Sequence, residues 1–185
     1  MIQPKIKCTI THFIDFNSIF EYRILQAPII FQMNLDKKDR QLLLLLQEDS
    51  KRTTKSLAAD LDLSVTAVFE RIKKLEKLKI IEKYVALVDR KLIQKDFLVL
   101  CHVKLSQHRK EYITQFEREI TQFPEVQECF HVSGDYDYIL KITVRDIQEY
   151  RDFMVTKLTN LQHIASTQSS FMIKEVKSTT AVNME

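Results

Sequence analysis

The sequence predicts an α+β protein in which a winged or trihelical helix-turn-helix domain precedes a ferredoxin-like βαββαβ domain. Two patterns along the chain predict this order. Between residues 36 and 79, apolar side chains recur every three to four positions, the period of an amphipathic helix. From Phe97 they recur at every second position, the period of a strand. The predicted segments are an N-terminal extension at 1–32, the helical domain at 33–82, a linker strand and hinge at 83–96, the ferredoxin-like domain at 97–178 and a tail at 179–185.

Positive charge is concentrated in one stretch of the chain. The 185 residues carry a formal net charge of +3 and a pI near 8.7, which is too mild to indicate a nucleic-acid partner by itself. Residues 64–79, however, hold five cationic side chains against two anionic ones. Such a local excess is the electrostatic footprint of a surface that contacts phosphate groups.

Several classes of protein are disfavoured by patterns that the sequence lacks. Cys8, Cys101 and Cys129 form no CxxC pair and have no histidines at metal-ligand spacing, so we expect no disulfide framework, metal site or cofactor. We interpret Cys101 and Cys129, which lie in apolar runs, as core residues. No nucleophile stands at a useful spacing from a base, which argues against an enzyme. No apolar run approaches the roughly 18 residues of a membrane span, so we expect a cytoplasmic protein with no membrane partner.

Two helices are predicted at the start of the helical domain. Asp36 followed by Asp39 is a plausible helix start, with a carboxylate cap and negative charge in the first turn. Thr54 is predicted to cap a second, shorter helix after a polar break. The predicted buried positions of the two helices are Leu42, Leu43, Leu45, Leu46, Leu57, Ala58 and Leu61.

The third predicted helix carries the cationic stretch. Ser64 stands where an N-cap hydroxyl would accept from a free backbone N–H. The positions predicted to face inward are Val65, Val68, Ile72 and Leu75, and the opposite face holds Thr66, Ala67, Glu70, Arg71, Lys73, Lys74 and Lys77. Small residues followed by cations suit a helix whose N-terminal end approaches base edges while later turns meet phosphates. An ordinary amphipathic helix with a solvated basic face is the alternative.

Two segments outside these helices have more than one interpretation. Residues 1–32 interrupt apolar side chains with charges and do not resemble a signal peptide. Met33 is then the functional start, or else the extension is an extra helix or strand that packs against a partner subunit. Residues 81–89 (IEKYVALVD) are rich in β-branched residues and predict a strand or an extended connector.

The second domain is predicted from alternating strands and two helical stripes. Its strands are 97–105, 126–132, 136–144 and 164–176, with Ser133, Gly134 and Asp135 as a tight hairpin between the middle two. One helix carries Tyr112, Ile113, Phe116, Ile120 and Phe123 and stops at Pro124, and the other begins at the cap Asp146 and carries Ile147, Tyr150, Phe153, Met154 and Leu158. Both helices cover one sheet face, so we expect the other face to be buried against a second subunit.

The hairpin has two interpretations. Gly134, the only glycine in the chain, lies between Ser133 and Asp135, which is simply favourable turn chemistry. Alternatively, exposed backbone N–H groups here receive an α-carboxylate while Asp135 or Asp137 balances an α-ammonium group, the division of labour that an amino-acid site needs.

Five segments in this order resemble the Lrp/AsnC family of bacterial and archaeal transcriptional regulators. The segments are LDKKDRQLLLLLQEDS, LSVTAVFERIKKLE, IIEKYVALVD, VSGDYDYILKITV and FMIKEVK, and the resemblance covers residues 34–177. It implies a DNA-binding helix-turn-helix, a ferredoxin-like domain that dimerises through its sheets, further assembly that is commonly octameric, and an amino-acid effector bound at interfaces.

The resemblance also assigns residues. Thr66, Ala67, Glu70, Arg71 and Lys74 match the family's groove-facing positions, and with Ser64 and Lys73 they form the predicted DNA-binding set. The predicted effector-binding set is His131, Ser133, Gly134, Asp135, Tyr136, Asp137, Ile147, Thr167, Gln168, Ser170 and Met172, shared between subunits. Asp62 and Lys79 stand where relatives often have glycine, and Lys79 suggests a different helix end.

Together these observations predict a sequence-specific regulator that binds double-stranded DNA as a homo-oligomer and responds to an amino acid or related metabolite. The main alternative is an effector-independent architectural DNA-binding oligomer, and a ferredoxin-like enzyme is a more remote one.

Overall fold

The computed structural model describes residues 35–184, so Cys8, the extension and the proposed start at Met33 lie outside the described part of the chain. The helices are α1 (Lys37–Glu48), α2 (Thr54–Leu61), α3 (Val65–Lys77), α4 (Lys110–Ile120) and α5 (Ile147–Thr156), and the strands are β1 (Phe97–Leu105), β2 (Val126–His131), β3 (Tyr138–Val144) and β4 (Ile164–Phe171). A 3-10 turn spans Leu158–Asn160. The described residues divide into a helical unit, residues 35–82 with 181–184, and a sheet unit, residues 83–180.

The helical unit starts each helix with a side-chain cap. Asp36 Oδ1 accepts from the Asp39 N–H at 2.7 Å, and Ser64 Oγ accepts from the Ala67 N–H at 3.1 Å, as predicted. The cap of α2 is Thr53 and not Thr54, because the Thr53 hydroxyl accepts from the Ser56 N–H. Each cap satisfies a backbone donor that has no partner within its helix.

The apolar faces of the three helices meet in one core. The buried side chains are Leu42, Leu43, Leu57, Ala58, Leu61, Val68 and Leu75, with Leu45, Leu46 and Ile72 partly buried against them. The prediction that Val65 faces inward is wrong, because 49% of this residue is exposed. It is the first residue of α3 and lies about 60° around the helix from Val68, at the edge of the buried stripe.

Two non-glycine residues take left-handed backbone conformations at helix ends. Asp62 after α2 has φ 52°, and Lys79 after α3 has φ 58°. After α3, the Ile80 N–H donates to the Leu75 carbonyl and the Lys79 N–H to the Glu76 carbonyl, both at 3.0 Å. This is the Schellman arrangement that glycine usually permits. The expectation that Lys79 changes the helix end is therefore wrong.

The tail returns to the helical unit. The side-chain amide of Gln47 in α1 donates to the Val182 carbonyl at 3.1 Å and accepts from the Val182 N–H at 2.7 Å. Met184 packs against the apolar core of the same unit. The last residues thus add both polar and apolar contacts to the helical unit.

The sheet unit has the predicted βαββαβ order and a four-stranded antiparallel sheet in the order β2-β3-β1-β4. The predicted apolar face of β1, with Val99, Cys101, Val103 and Leu105, is buried with α4 and α5. Leu98 is also buried although it lies on the opposite face. The fold class is confirmed in its trihelical form, since the described residues before β1 contain no strand of a wing.

Several predicted boundaries differ from the observed ones. Residues 82–89 form the extended connector that the sequence offered as an alternative to a strand, and Leu87 and Val88 are exposed in it. The β2–β3 loop spans residues 132–137, twice the predicted hairpin, and is closed by the Val132 N–H donating to the Asp137 carbonyl at 2.8 Å. Strand β4 ends at Phe171, and the predicted helical positions Phe123 and Leu158 lie beyond the ends of α4 and α5.

The helix-free side of the sheet, named here the open face, mixes apolar and polar side chains. Its members are Leu98, Leu100, His102, Lys104, Glu128, Phe130, Ile139, Lys141, Thr143, Ser166, Gln168 and Ser170.

Among residues 35–184, no helix combines the length and the apolar character that a membrane span requires.

Candidate functional site

The exposed face of α3 contains most of the predicted DNA-binding residues. Thr66, Glu70, Lys73 and Lys74 are exposed, and Ser64 is exposed at the cap. Ala67 and Arg71 are only partly accessible, because they turn toward the edge of the core. Five of the seven predicted residues therefore share one accessible surface on the α3 side of the helical unit, with small or polar groups in the first turn and cations later.

Arg71 is engaged by carboxylates of the same unit. Its Nη1 donates to Asp39 Oδ1 at 2.5 Å and to Asp36 Oδ2 at 2.6 Å, while Lys74 Nζ lies 3.4 Å from Asp39 Oδ2. The Asp39 side chain is fully buried, whereas 27% of Arg71 is exposed. Hydrogen bonds from the Asp39 N–H and then from Arg71 hold the pKa of Asp36 below its ordinary value. Arg71 therefore joins α3 to α1, a role that the predicted DNA contact did not anticipate.

Phe69 is an exposed residue that the predicted set omitted. It is 47% exposed, and Lys73 Nζ lies 5.7 Å from the centre of its ring. Phe69 follows Thr66 by three positions and precedes Lys73 by four, so it lies on their face of the helix. That spacing was available in the sequence and could have placed Phe69 in the set.

The predicted effector loop contains two carboxylates with different surroundings. Asp137 Oδ2 accepts from the Leu105 N–H at 2.7 Å, and Asp137 Oδ1 lies 2.7 Å from His108 Nε2. These two contacts occupy both carboxylate oxygens and hold the loop against the end of β1, and only 15% of the Asp137 side chain is exposed. Asp135 is exposed at the loop surface. Of the two carboxylates that the sequence offered for an ammonium group, Asp135 is the accessible one.

Gly134 serves the loop through its backbone conformation. Its φ is +141°, which side chains rarely adopt, although a Cβ placed there would meet nothing within 4 Å. The glycine is therefore required by the path of the chain and not by crowding. It leaves the surface between Ser133 and Asp135 open.

His131 lies on the helix-covered side of the sheet. Its ring stacks on Tyr138, with centroids 4.6 Å apart, and its Nδ1 is 3.7 Å from Glu117 Oε1. Tyr138 donates to the same carboxylate oxygen at 2.9 Å. Burial, and then this hydrogen bond, raise the pKa of the Tyr138 hydroxyl. His131 thus belongs to an aromatic cluster under α4.

One subunit brings together only part of the predicted effector set. Tyr136 donates to Gln168 Oε1 and lies beside the His102 ring. His131 and Thr167, however, lie on the two edge strands of the sheet. They are the ends of one row of paired residues across the four strands, so they are about 14 Å apart at the spacing of strands. Ile147 follows the far end of β3, about 20 Å from the loop. Ser170 and Met172 lie toward that far end as well, and the Met172 N–H donates to the Leu98 carbonyl there.

A cleft of about 820 Å³ lies elsewhere in the sheet unit. Arg90, Lys141 and Glu175 line it together with the connector and the chain after β4, and Arg90 pairs with Glu175 at 2.7 Å. Met172 is the one member of the predicted effector set in its lining. The cleft therefore does not coincide with the predicted loop site.

The two described cysteines belong to the apolar core of the sheet unit or pack against it. Cys101 is buried in the core of the sheet unit, as predicted, whereas Cys129 is only partly buried. Burial raises the pKa of both thiols, that of Cys129 to about 11. The described residues contain no group of three or more His, Cys, Asp or Glu side chains placed to hold a metal ion.

Comparison with protein families matches both units separately. The AsnC-type helix-turn-helix domain matches residues 35–76, and the Lrp/AsnC ligand binding domain matches residues 98–182. The first match contains α1, α2 and α3, and the second contains the β2–β3 loop.

Curated relatives extend the match across both units. The transcriptional regulator AzlB of Bacillus subtilis is 33% identical over 151 residues, covering 82% of this chain and 96% of the relative. The leucine-responsive regulatory protein of Haemophilus influenzae is 36% identical over 145 residues, covering 78% of this chain and 87% of the relative. Among solved structures, a transcriptional regulator of Neisseria meningitidis in complex with L-Met superposes with a TM-score of 0.77 at 30% identity, covering 80% of this chain and 96% of that one.

Proposed function

Because the chain belongs to the Lrp/AsnC family of transcriptional regulators, we propose that it binds specific sites in double-stranded DNA and that an amino acid changes this binding. The single observation that supports DNA binding most strongly is the accessible face of α3. It presents Thr66 and Glu70 where base edges would lie, and Lys73, Lys74 and Lys77 where phosphates would lie. The curated relatives are transcriptional regulators, and no enzymatic activity is proposed for this chain.

The β2–β3 loop is the proposed effector site. Asp135 would pair with the ammonium group of an amino acid, while backbone N–H groups beside Gly134 would receive its carboxylate. Two observations support this proposal: Asp135 is exposed, and the family's ligand binding domain covers the loop. Asp137 would act differently, by holding the loop to β1 through the Leu105 N–H.

Assembly of subunits completes the proposal. The open face carries apolar residues such as Leu100, Ile139 and Phe130, and Phe130 is 49% exposed. Pairing of two such faces would form a homodimer, and dimers would assemble further, commonly into octamers in this family. Residues such as Ile147 and Met172, which lie far from the loop in one subunit, would then reach the effector from a neighbour. A bound amino acid would favour one assembly over another through its differential affinity.

A random-sequence selection followed by binding titrations tests DNA recognition. We expect the full chain to enrich one sequence and to bind it at least about a thousandfold more tightly than a scrambled duplex of equal length. Equal affinity for the two duplexes would refute sequence-specific binding. The salt concentration must be fixed, because phosphate contacts make both affinities fall steeply with salt.

A thermal-shift screen against the twenty amino acids tests the effector. A ligand that binds only the folded protein at a hundred times its Kd should raise the midpoint by about 5 °C or more. Asp135→Asn should abolish that shift, whereas Asp152→Asn, which removes an exposed carboxylate from α5, should preserve it. An unaltered shift in Asp135→Asn would remove Asp135 from the site. No shift with any amino acid, together with specific DNA binding, would favour an effector-independent architectural protein.

A further inference from the structure

Phe69 is exposed on the face of α3 that the proposed function directs toward DNA. The residue is 47% exposed, whereas Val68, Ile72 and Leu75 of the same helix pack into the helical unit. It is the fifth residue of the helix, so it belongs to the N-terminal half that meets base edges in a helix-turn-helix. Thr66 and Lys73 lie one helical turn before and after it on the same face.

Lys73 restricts the position of the ring. Its ammonium group lies 5.7 Å from the ring centroid and 2.8 Å from Glu76 Oε2. A cation over an aromatic face is attracted by the negative charge of the π-system. The contact favours one position of the Phe69 ring in the free protein, and such a bias would lower the entropy that the side chain loses on binding.

The chemistry of the ring limits what it can read in DNA. A phenyl group has no hydrogen-bond donor or strong acceptor for the polar atoms of a base edge. The C5 methyl group of thymine is the apolar feature that the major groove offers, and phenylalanine is among the side chains that contact it. From the position of Phe69 we propose that it is a specificity-determining residue that packs on a thymine methyl group, an inference that rests on the proposed DNA binding.

Replacement of thymine by deoxyuridine tests the inference, because it removes the methyl group and leaves base pairing intact. The full-length protein is first used to select its preferred duplex, and each thymine of that duplex is then replaced in turn. We expect one replacement in each half-site to weaken binding by about fourfold, the factor that one buried methyl group is worth. Replacement of that thymine by 5-methylcytosine, with guanine opposite, should retain the apolar contact.

Two variants and a control identify the side chain responsible. Phe69→Ala should bind the thymine and deoxyuridine duplexes equally well, whereas Phe69→Met should keep part of the discrimination. Leu44→Ala shortens another exposed apolar side chain, on α1, and should discriminate as the wild type does. Thermal unfolding of each variant checks that the helical unit remains folded.

The outcomes separate this inference from the function on which it depends. If the wild type selects no sequence, the proposed function and the inference both fail. If it selects a sequence but no deoxyuridine replacement weakens binding, the inference alone is overturned. The same holds if Phe69→Ala remains as sensitive to the missing methyl group as the wild type.

Discussion

Arg71 on α3 donates a 2.5 Å hydrogen bond to Asp39 on α1, whose side chain is completely buried. The pair fixes the helix that carries the proposed DNA contacts to the first helix of its unit. Asp36 accepts from the same Arg71 nitrogen, and Lys74 approaches the second oxygen of Asp39. A buried carboxylate is thus held between two cations of α3, and one of them remains largely exposed.

Arg71→Ala should lower the free energy of unfolding by about 3 kcal/mol, because it removes the main partner of a buried charge. Urea unfolding of the full chain measures this change. Lys77→Ala, an exposed cation of the same helix, is the control and should change stability by less than about 0.5 kcal/mol. The double variant Asp39→Ala with Arg71→Ala should lose less than the sum of the single variants. Unchanged stability in Arg71→Ala would show that the pair does not hold α3.

Lys77→Ala should weaken binding to all DNA sequences nearly equally, because a cation in the last turn of α3 is placed for phosphate and not for bases. The slope of log affinity against log salt should decrease by about one. Anisotropy titrations at four salt concentrations measure it. Lys110→Ala, which removes an exposed cation from the sheet unit, should leave the slope unchanged. Loss of discrimination between sequences in Lys77→Ala would instead indicate a base contact.

Lys79→Gly should stabilise the helical unit by about 0.5–1 kcal/mol, because φ 58° strains a lysine more than a glycine. Lys73→Gly is the control, because the same substitution inside α3 should lower the free energy of unfolding by about 1 kcal/mol. Midpoints of urea unfolding measure both changes. A destabilised Lys79→Gly would contradict the assignment of strain to that position.

Glu149 should link the stability of the sheet unit to pH. Hydrogen bonds from Lys95 and then from the Arg145 N–H lower the pKa of its carboxyl group from 4.5 to about 2. A lowered folded-state pKa stabilises the protein above the unfolded value and loses that contribution as the pH falls toward 2. The stability difference between wild type and Glu149→Gln should therefore be largest above about pH 5 and vanish near pH 2. Glu111→Gln is the matched charge control, and a pH-independent difference for Glu149→Gln would contradict the linkage.

Local patterns predicted the features that depend on neighbours in the chain. Asp36, Ser64 and Asp146 cap helices as predicted, because a cap bonds an N–H three residues away. Adjacent hydroxyls at Thr53 and Thr54 left the start of α2 uncertain by one residue. For residues 81–89 the local pattern left a strand and an extended connector open, because a strand also needs a partner that the run itself does not reveal, and the structure has the connector.

Contacts distant in sequence explain why the candidate sites were predicted only in part. The helical period predicted that Arg71 contacts DNA. Its pairing with Asp39 could not be predicted, because Asp39 lies 32 positions away and no helical period reveals that contact. Asp135 and Asp137 looked equivalent in the sequence, and only the contacts of Asp137 with Leu105 and His108 distinguish them. The effector set remains a prediction, since its members lie on separate edges and ends of one sheet.

The most direct test of regulated, sequence-specific DNA binding measures the affinity of the full chain for its selected duplex and for a scrambled duplex, with and without the amino acid that stabilises it. We expect a preference of at least about a thousandfold for the selected duplex. We also expect the amino acid to change this affinity in the wild type but not in Asp135→Asn. Equal affinity for both duplexes, at any amino-acid concentration, would contradict the proposed function.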